Sequence, residues 1–407
     1  MKYVVVMTHT QIENDSRIQR QIRVLQKTYR VLLCCQMNLE ATDPDLQQLE
    51  CITYEPNTTY IGQQLMKLYL FDGEAHNQLQ ALFPDWHMNA LRAYETYRAD
   101  FANLYRKVYH QIKKEEINVA AIIANDVFVL PMAYRLFLSV KKENPNVKLL
   151  GDMHEVHFNY SAHKEEFSQL LRTWLCDTYV PKCQLVSSVS EQGVGLYKER
   201  YPKLHCVAVR NVAEYHELSI SVQASNTRLV HVGSAQKARE LEHMITCMKM
   251  LDETFTLDFY LVANNDVNRA YVMELKNYVE MEQMTKRIQF HEPVPPSRLI
   301  EEIHQYDIGI FYLNPTVENH KYALPNKLFE YIQARLAVVT TPLSSMSDII
   351  QEYQVGATSK NYELVEFAQA ISSVSSNLAY YKEQSNKAAK ILNTDTDWSE
   401  VVNFIKE

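Results

Sequence analysis

Short runs of uninterrupted apolar residues alternate along the chain with longer stretches in which apolar residues recur every three or four positions. The runs Tyr3–Met7, Tyr29–Cys35, Val119–Ala124, Lys148–Asp152, Leu185–Ser188 and Cys206–Val209 predict strands. Between them, Asp15–Lys27 carries Ile18, Ile22 and Leu25 at helical spacing. Residues 62–116 read as mainly helical, with a long stretch from about Trp86 to Lys114, and further helices fall near 127–142 and 191–200. The alternation then restarts. Strands are expected at Leu229–Val232, Leu257–Val262, Ile288–Phe290, Ile308–Tyr312 and Ala337–Thr340, with helices over 239–251, 268–283 and 297–305. Pro325 suits the first position of another helix, whose apolar stripe is Leu328, Phe329 and Ile332. Helices fill 363–392. In the last amphipathic segment Trp398, Val401, Val402 and Ile405 form an apolar face that needs a partner.

Continuous apolar runs mark parallel strands covered on both faces, so the pattern predicts an α/β fold with parallel sheets. A chain of 407 residues suits two domains of about 200 each. They are expected over 1–212 and 213–392, with 393–407 returning as a helix to the first. Parallel sheets bind ligands outside the carboxyl ends of their strands. Chemistry is therefore expected in the segments that follow strands.

The Tyr322–Tyr331 segment, Y-A-L-P-N-K-L-F-E-Y, is the most informative of these. Lys327 places a cation in the first helical turn, which opposes the helix dipole by about 0.3–1 kcal/mol. The position makes sense if an anion sits there, because free N–H groups at a helix start favour phosphate. Glu330 lies three residues on, on the same side. A cation for phosphate and a carboxylate for sugar hydroxyls point to a nucleotide-sugar site. A surface lysine and a solvated glutamate are the plain alternative. A second post-strand loop, Val232–Arg239, brings Gly233 for a tight turn and Lys237 and Arg239 as cations suited to a diphosphate.

Three further segments carry candidates. Asp152-Met-His-Glu-Val-His157 can supply acid–base groups, bind an acceptor hydroxyl or form a metal cluster, or be ordinary polar loop residues. Asn14-Asp15-Ser16 has N-cap chemistry, which leaves Arg17 over as a residue able to face a cleft. His291-Glu-Pro-Val-Pro-Pro296 is a stiff loop suited to line a base pocket.

Composition narrows the classes. The chain has 46% hydrophobic and 22% charged residues and a net charge of −8, so no global field attracts nucleic acid. With only eight glycines there is neither a G-x-G-x-x-G nor a Walker A sequence. Seven scattered cysteines without a C-x-x-C pair indicate neither a disulfide framework nor a zinc site. No run reaches the roughly 18 apolar residues of a membrane span. The expected place is the cytoplasm, with the inner face of the membrane also compatible. Peripheral membrane contact and a dimer stay open.

These residues resemble the retaining glycosyltransferase family 4-like group of the GT-B glycosyltransferases. The resemblance is strongest over about 185–360, through Ser187–Glu191, Val209-Arg-Asn211, Val230-His-Val-Gly233 with Arg239, Asp307-Ile-Gly309 and, above all, Tyr322–Tyr331. It is weaker in the first half, through Asp15-Ser-Arg17 and Asp152-Met-His-Glu155. The resemblance implies two Rossmann-like domains facing across a cleft. The first would take the acceptor and the second a nucleotide diphosphate sugar of the UDP or GDP type. The acceptor would be a glycan, lipid-linked or protein molecule. Glu330 resembles the second glutamate of the family's E-x7-E motif, which holds ribose hydroxyls. Arg239, with Lys237, resembles the basic pair on the diphosphate. His154 resembles the histidine beside the transferred sugar. The catalytic set so implied is His154, Arg239 and Lys327. The donor set adds Gly233, Ser234, Lys237, His291, Tyr322, Asn326 and Glu330. The acceptor side comprises Asp15, Arg17, Asp152, His154 and Glu155. No cofactor and no metal is called for.

The chain departs from the family pattern at three places. Ala323 stands where the motif's first glutamate belongs, Thr8-His-Thr-Gln11 replaces a glycine pair, and Ser234 replaces an arginine. A sugar-nucleotide epimerase and a non-catalytic, glycan- or partner-binding pseudo-transferase are the rival readings, the second favoured by Ala323.

Overall fold

The computed structural model describes residues 1–10, 12, 15–36, 49–54, 99–159, 167–221, 226–315 and 324–407. Asn14, the start of the 62–116 segment, and Tyr322 with Ala323 lie outside the described residues. The chain forms two compact units. One holds Met1–Arg210 with Trp398–Glu407, and the other runs from Asn211 to Asp397.

The first unit is built on a seven-stranded parallel sheet. Its strands are β1 (Tyr3–Met7), β2 (Arg30–Gln36), β3 (Glu50–Tyr54), β4 (Val119–Asn125), β5 (Lys148–Met153), β6 (Leu185–Ser188) and β7 (Cys206–Ala208), in the order β3-β2-β1-β4-β5-β6-β7. Its helices are α1 (Ser16–Gln26), α2 (Ala99–Lys114), α3 (Leu130–Lys141), α4 (Phe167–Tyr179) and α5 (Glu191–Arg200). Strand β1 explains the uniform apolar runs. Val5 and Met7 enter one core, with Leu136 and Leu175, while Val4 and Val6 enter the other, with Ile18, Ile22 and Leu25. Both faces are covered, so both sets of alternating side chains are apolar. Asp15 caps α1 by accepting from the Ile18 N–H at 3.2 Å. Strand β3 and helix α4 are not among the expected elements. Glu50–Tyr54 is a short edge strand with polar ends, a weak periodic signal.

The second unit has a six-stranded parallel sheet of β8 (Thr227–Ser234), β9 (Phe255–Val262), β10 (Ile288–His291), β11 (Ile308–Phe311), β12 (Ala337–Thr340) and β13 (Gly356–Thr358), in the order β10-β9-β8-β11-β12-β13. Its helices are α6 (Glu242–Cys247), α7 (Asp266–Met281), α8 (Pro296–Ile303), α9 (Asn326–Gln333), α10 (Ser344–Tyr353), α11 (Leu364–Ser376) and α12 (Leu378–Ala389). The final helix, α13 (Thr394–Lys406), carries Trp398, Val401, Val402 and Ile405 into the same core as Val4, Ile18 and Ile22 of the first unit.

Helix α9 is anchored from both ends. Pro325 is its N-cap, in extended conformation, so Asn326 and not Pro325 is its first residue, a correction of one position. At the other end Arg335 takes the left-handed conformation (φ 63), and the Leu336 N–H donates to Tyr331 O at 3.0 Å. A glycine is the usual choice there. The arginine is retained by its side chain, which is buried and donates to His216 O at 2.6 Å and Asn386 Oδ1 at 3.0 Å. Gln333 donates beside it to Ala389 O and Leu392 O. Together these two side chains tie the 211–218 segment and α12 to the helix.

Candidate functional site

The paired register of β8 and β11 covers Leu229 with Ile308 and Val230 with Gly309. Past it the Tyr331 hydroxyl bridges the strands. The Val232 N–H donates to it at 3.1 Å, and it donates to Ile310 O at 3.2 Å. The ring lies flat against Gly309, where any Cβ would stand 2.3 Å from it. An isolated glycine inside an apolar strand is a sign of such close approach. Tyr331 therefore pins α9 to the carboxyl end of the sheet and sets where the helix begins.

That beginning is where the charges gather. Gly233 is the last residue but one of β8, at φ +138, a conformation that favours glycine, and a Cβ there would meet Lys327 Nζ at 2.7 Å and Arg239 Nη1 at 3.9 Å. Lys327 is 5% exposed, and its ammonium makes no hydrogen bond. It lies over the Phe311 ring at 4.4 Å. His231 stacks on Phe311 (6.2 Å, 8°) and donates through Nδ1 to Ile310 O at 3.0 Å. Burial pushes the Lys327 pKa well below its ordinary value, the Arg239 charge lowers it further, and Glu330 opposes both. Burial likewise lowers Arg239 and, with the Lys327 charge, depresses His231. A buried, unpaired ammonium beside a second cation is costly unless an anion completes the site.

Gly233, Arg239, Lys327 and Glu330 thus converge. Ser234 ends β8 beside Gly233, and Asn326 opens α9. Lys237 is exposed and its ammonium is held by Glu274 at 2.9 Å, so Arg239 is the loop cation next to Lys327. His291 ends β10, where its Nε2 meets Asp258 Oδ2 at 2.8 Å and its ring stacks on Tyr260 at 4.8 Å. Tyr322 lies outside the described residues. Phe311, Tyr331 and His231 were not among the expected site residues. They read as core in the sequence, and the lone Gly309 was the one local signal of the Tyr331 contact.

An ion affinity follows from the lowered Lys327 pKa. An anion favours the charged ammonium, so anion binding should be accompanied by proton uptake once the pH exceeds the depressed pKa. The affinity should fall as pH rises through the depressed pKa. Calorimetry in buffers of different ionisation heat measures this, and proton-independent binding up to pH 10 would contradict it.

The first unit gathers a separate cluster at the ends of β4 and β5. Arg17 is buried and doubly hydrogen-bonded to Asp152 (Nε–Oδ2 2.9 Å, Nη2–Oδ1 2.5 Å) and to Val209 O (2.8 Å). It therefore clamps strands of its own unit, a role that capping and spacing did not foretell. Ser187 and Gln21 also donate to Asp152. Burial raises the Asp152 carboxyl pKa, but Arg17 and His154 overcome that and hold it well below the usual range. His154 is 20% exposed and lies 3.5 Å from Asp152 Oδ2. Burial lowers its pKa, but Asp126 and Asp152 together raise it to about 9. Burial raises the neighbouring Glu155. Among the described residues no group of three or more His, Cys, Asp or Glu could hold a metal ion, and no helix is long and apolar enough to cross a membrane.

Residues 226–377 match the family model described as Glycosyl transferases group 1. No curated protein matches the chain in sequence. Among solved structures, Anabaena Alr3699/HepE in complex with UDP-glucose superposes with a TM-score of 0.69 at 11% identity, over 100% of both chains. A sucrose-phosphate synthase from Thermosynechococcus elongatus gives 0.65 at 12% identity, over 100% of this chain and 98% of that one. A glycosyltransferase from Rickettsia africae gives 0.66 at 10%, with the same coverage. The chain therefore has the fold of the GT-B glycosyltransferases, two parallel-sheet α/β units, and its residues 226–377 are similar to the glycosyl transferases group 1 model.

Proposed function

We propose that this protein is a glycosyltransferase that moves a sugar, with retention, from a UDP- or GDP-type sugar to a glycan, lipid-linked or protein acceptor. The observation that carries the reading is the buried Lys327 ammonium, without a hydrogen-bond partner, beside Arg239 at the glycine-formed mouth of a helix start. As the glycosidic bond to the diphosphate breaks, negative charge grows on the leaving phosphate. Two fixed cations and the first N–H groups of α9 stabilise that charge without reorganising. Glu330 holds the ribose hydroxyls, and His154 with Glu155 serves the acceptor side. That the Anabaena neighbour was crystallised with UDP-glucose favours UDP as the donor base.

On this reading the cations do the work of a metal. Activity should survive EDTA, and loss on chelation restored by Mg²⁺ or Mn²⁺ would refute metal independence. A thermal-shift screen with UDP, GDP, ADP and their sugars identifies the base. A ligand at 100 times its Kd should stabilise the protein by about 2.7 kcal/mol. Incubation with the cognate sugar nucleotide then separates the possibilities. Nucleotide release with a transferred sugar supports the proposal. Epimerised free product, or binding without turnover, replaces it by one of the two rivals. Ala323, in place of the motif's first glutamate, is the reason to run the turnover arm.

A further inference from the structure

Asp126 follows β4 with φ 73 and ψ 162, a region that residues other than glycine almost never enter. Its side chain caps no helix. Instead the residue is held on all sides. Its N–H donates to Asp152 O at 2.9 Å. Its Oδ1 meets His157 Nε2 at 2.5 Å and accepts from the His154 N–H at 3.3 Å, and its Oδ2 lies 4.0 Å from His154 Nδ1. His157 Nδ1 is 3.2 Å from Arg172 Nη1. A guanidinium only donates, so Nδ1 accepts and the ring hydrogen on Nε2 points at Asp126. The second nitrogen of His154, Nε2, is 3.3 Å from Asn125 Oδ1 and 3.5 Å from Asp152 Oδ2. Each nitrogen of His154 therefore faces an oxygen.

We propose that Asp126 is a positioning residue for His154. The Arg172–His157–Asp126 chain fixes the His154 ring and keeps both of its nitrogens protonated, so that His154 is a fixed positive charge at the acceptor side and not a base. The inference rests on the reading of His154 as the acceptor-side histidine. Nothing in the fold requires an aspartate in a glycine conformation, whereas holding a carboxylate between two histidines does. The charges that face His154 are Asp126 after β4, Asp152 on β5, Glu155 next to His154 in the chain and Arg17 on α1. Arg17 opposes the charged ring, and Asp126 and Asp152 favour it. Burial raises the Asp126 carboxyl pKa, but the His157 hydrogen bond and the charge of His154 outweigh it and hold it far below the usual range.

The test is histidine titration in the full-length protein labelled with ¹⁵N-histidine, with His154 assigned by His154→Gln. In the unsubstituted protein both ring nitrogens of His154 should carry hydrogen at pH 7.5, with a midpoint near 9. Asp126→Asn keeps the shape but removes the charge, and should lower the midpoint by at least one pH unit, a tenfold loss of proton affinity. In turnover, the alkaline limb of the kcat/KM profile should move with the midpoint. A neutral His154 at pH 7.5 in the unsubstituted protein overturns the proposal, even if the variants do not fold. So does a midpoint that Asp126→Asn leaves in place. These readouts do not depend on turnover, so absence of sugar transfer would count against the proposed function and not against this arrangement.

Discussion

Lys327→Ala is expected to lower kcat/KM by on the order of 10²-fold, the loss seen when one group that stabilises developing charge is removed. Arg239→Ala should do the same. The stability of the empty protein should move the other way. An ammonium that is 5% exposed, without a hydrogen bond and beside a second cation, costs free energy until an anion arrives. Lys327→Met fills the same space without the charge, and should raise the melting temperature of the ligand-free protein while abolishing the UDP-induced shift. Loss of activity with gain of stability separates a binding residue from a structural one. Glu330→Ala should mainly raise the donor KM, because ribose contacts hold ground state and transition state alike. Full activity in both cation variants, measured as nucleotide release, would remove the basis of the donor site.

The second large effect is structural. Trp398 is 2% exposed and packs in the core formed by Val4, Ile18, Ile22 and Val209. The Arg17 guanidinium lies 5.6 Å from its ring centroid. Trp398→Ala should cost about 3–5 kcal/mol of the stability of the first unit. For a unit of about 200 residues each kcal/mol is worth about 2–4 °C, so a shift of very roughly 6–20 °C is expected. The reading is specific because the ring supports Arg17, which holds Asp152, which faces His154. The variant should therefore also disturb the His154 titration. Deletion of residues 395–407 should act at least as strongly. A melting temperature within about 2 °C of the unsubstituted protein would show that the C-terminal helix is dispensable, as frayed chain ends often are.

Elements with strong local signals were legible in the sequence. The β1 run Tyr3–Met7, α1 with Ile18, Ile22 and Leu25, α5 over Glu191–Arg200 and β12 over Ala337–Thr340 follow from apolar periodicity and capping alone. So did the parallel α/β class, because continuous apolar strands alternating with amphipathic helices have few other solutions. What escaped comprises the short strands β3 and β13 and the helices α4 and α10. Strand β3 owes its existence to pairing with β2 (Leu33 with Cys51, Cys34 with Ile52), a contact that no local pattern contains. Pro325 sits one place earlier than expected because cap and first turn differ only in backbone angles.

For the candidate sites the division is sharper. The sequence by itself determined the chemistry on offer: a cation and a carboxylate on one short helix, a glycine with cations on another loop, and two histidines among acids after a strand. Only the tertiary structure decided which of these groups meet. Arg239 comes to Gly233 and Lys327, while Lys237 is engaged by Glu274. Arg17 is spent on Asp152 and Val209 O. Tyr331 enters the sheet because Gly309, 22 positions earlier, leaves room for its ring. The physical reason is common to all of these. Charge, helix propensity and apolar period are properties of neighbouring residues along the chain. Burial, and with it the cost of an unpaired charge and the depressed pKa of Lys327, is a property of neighbours in space.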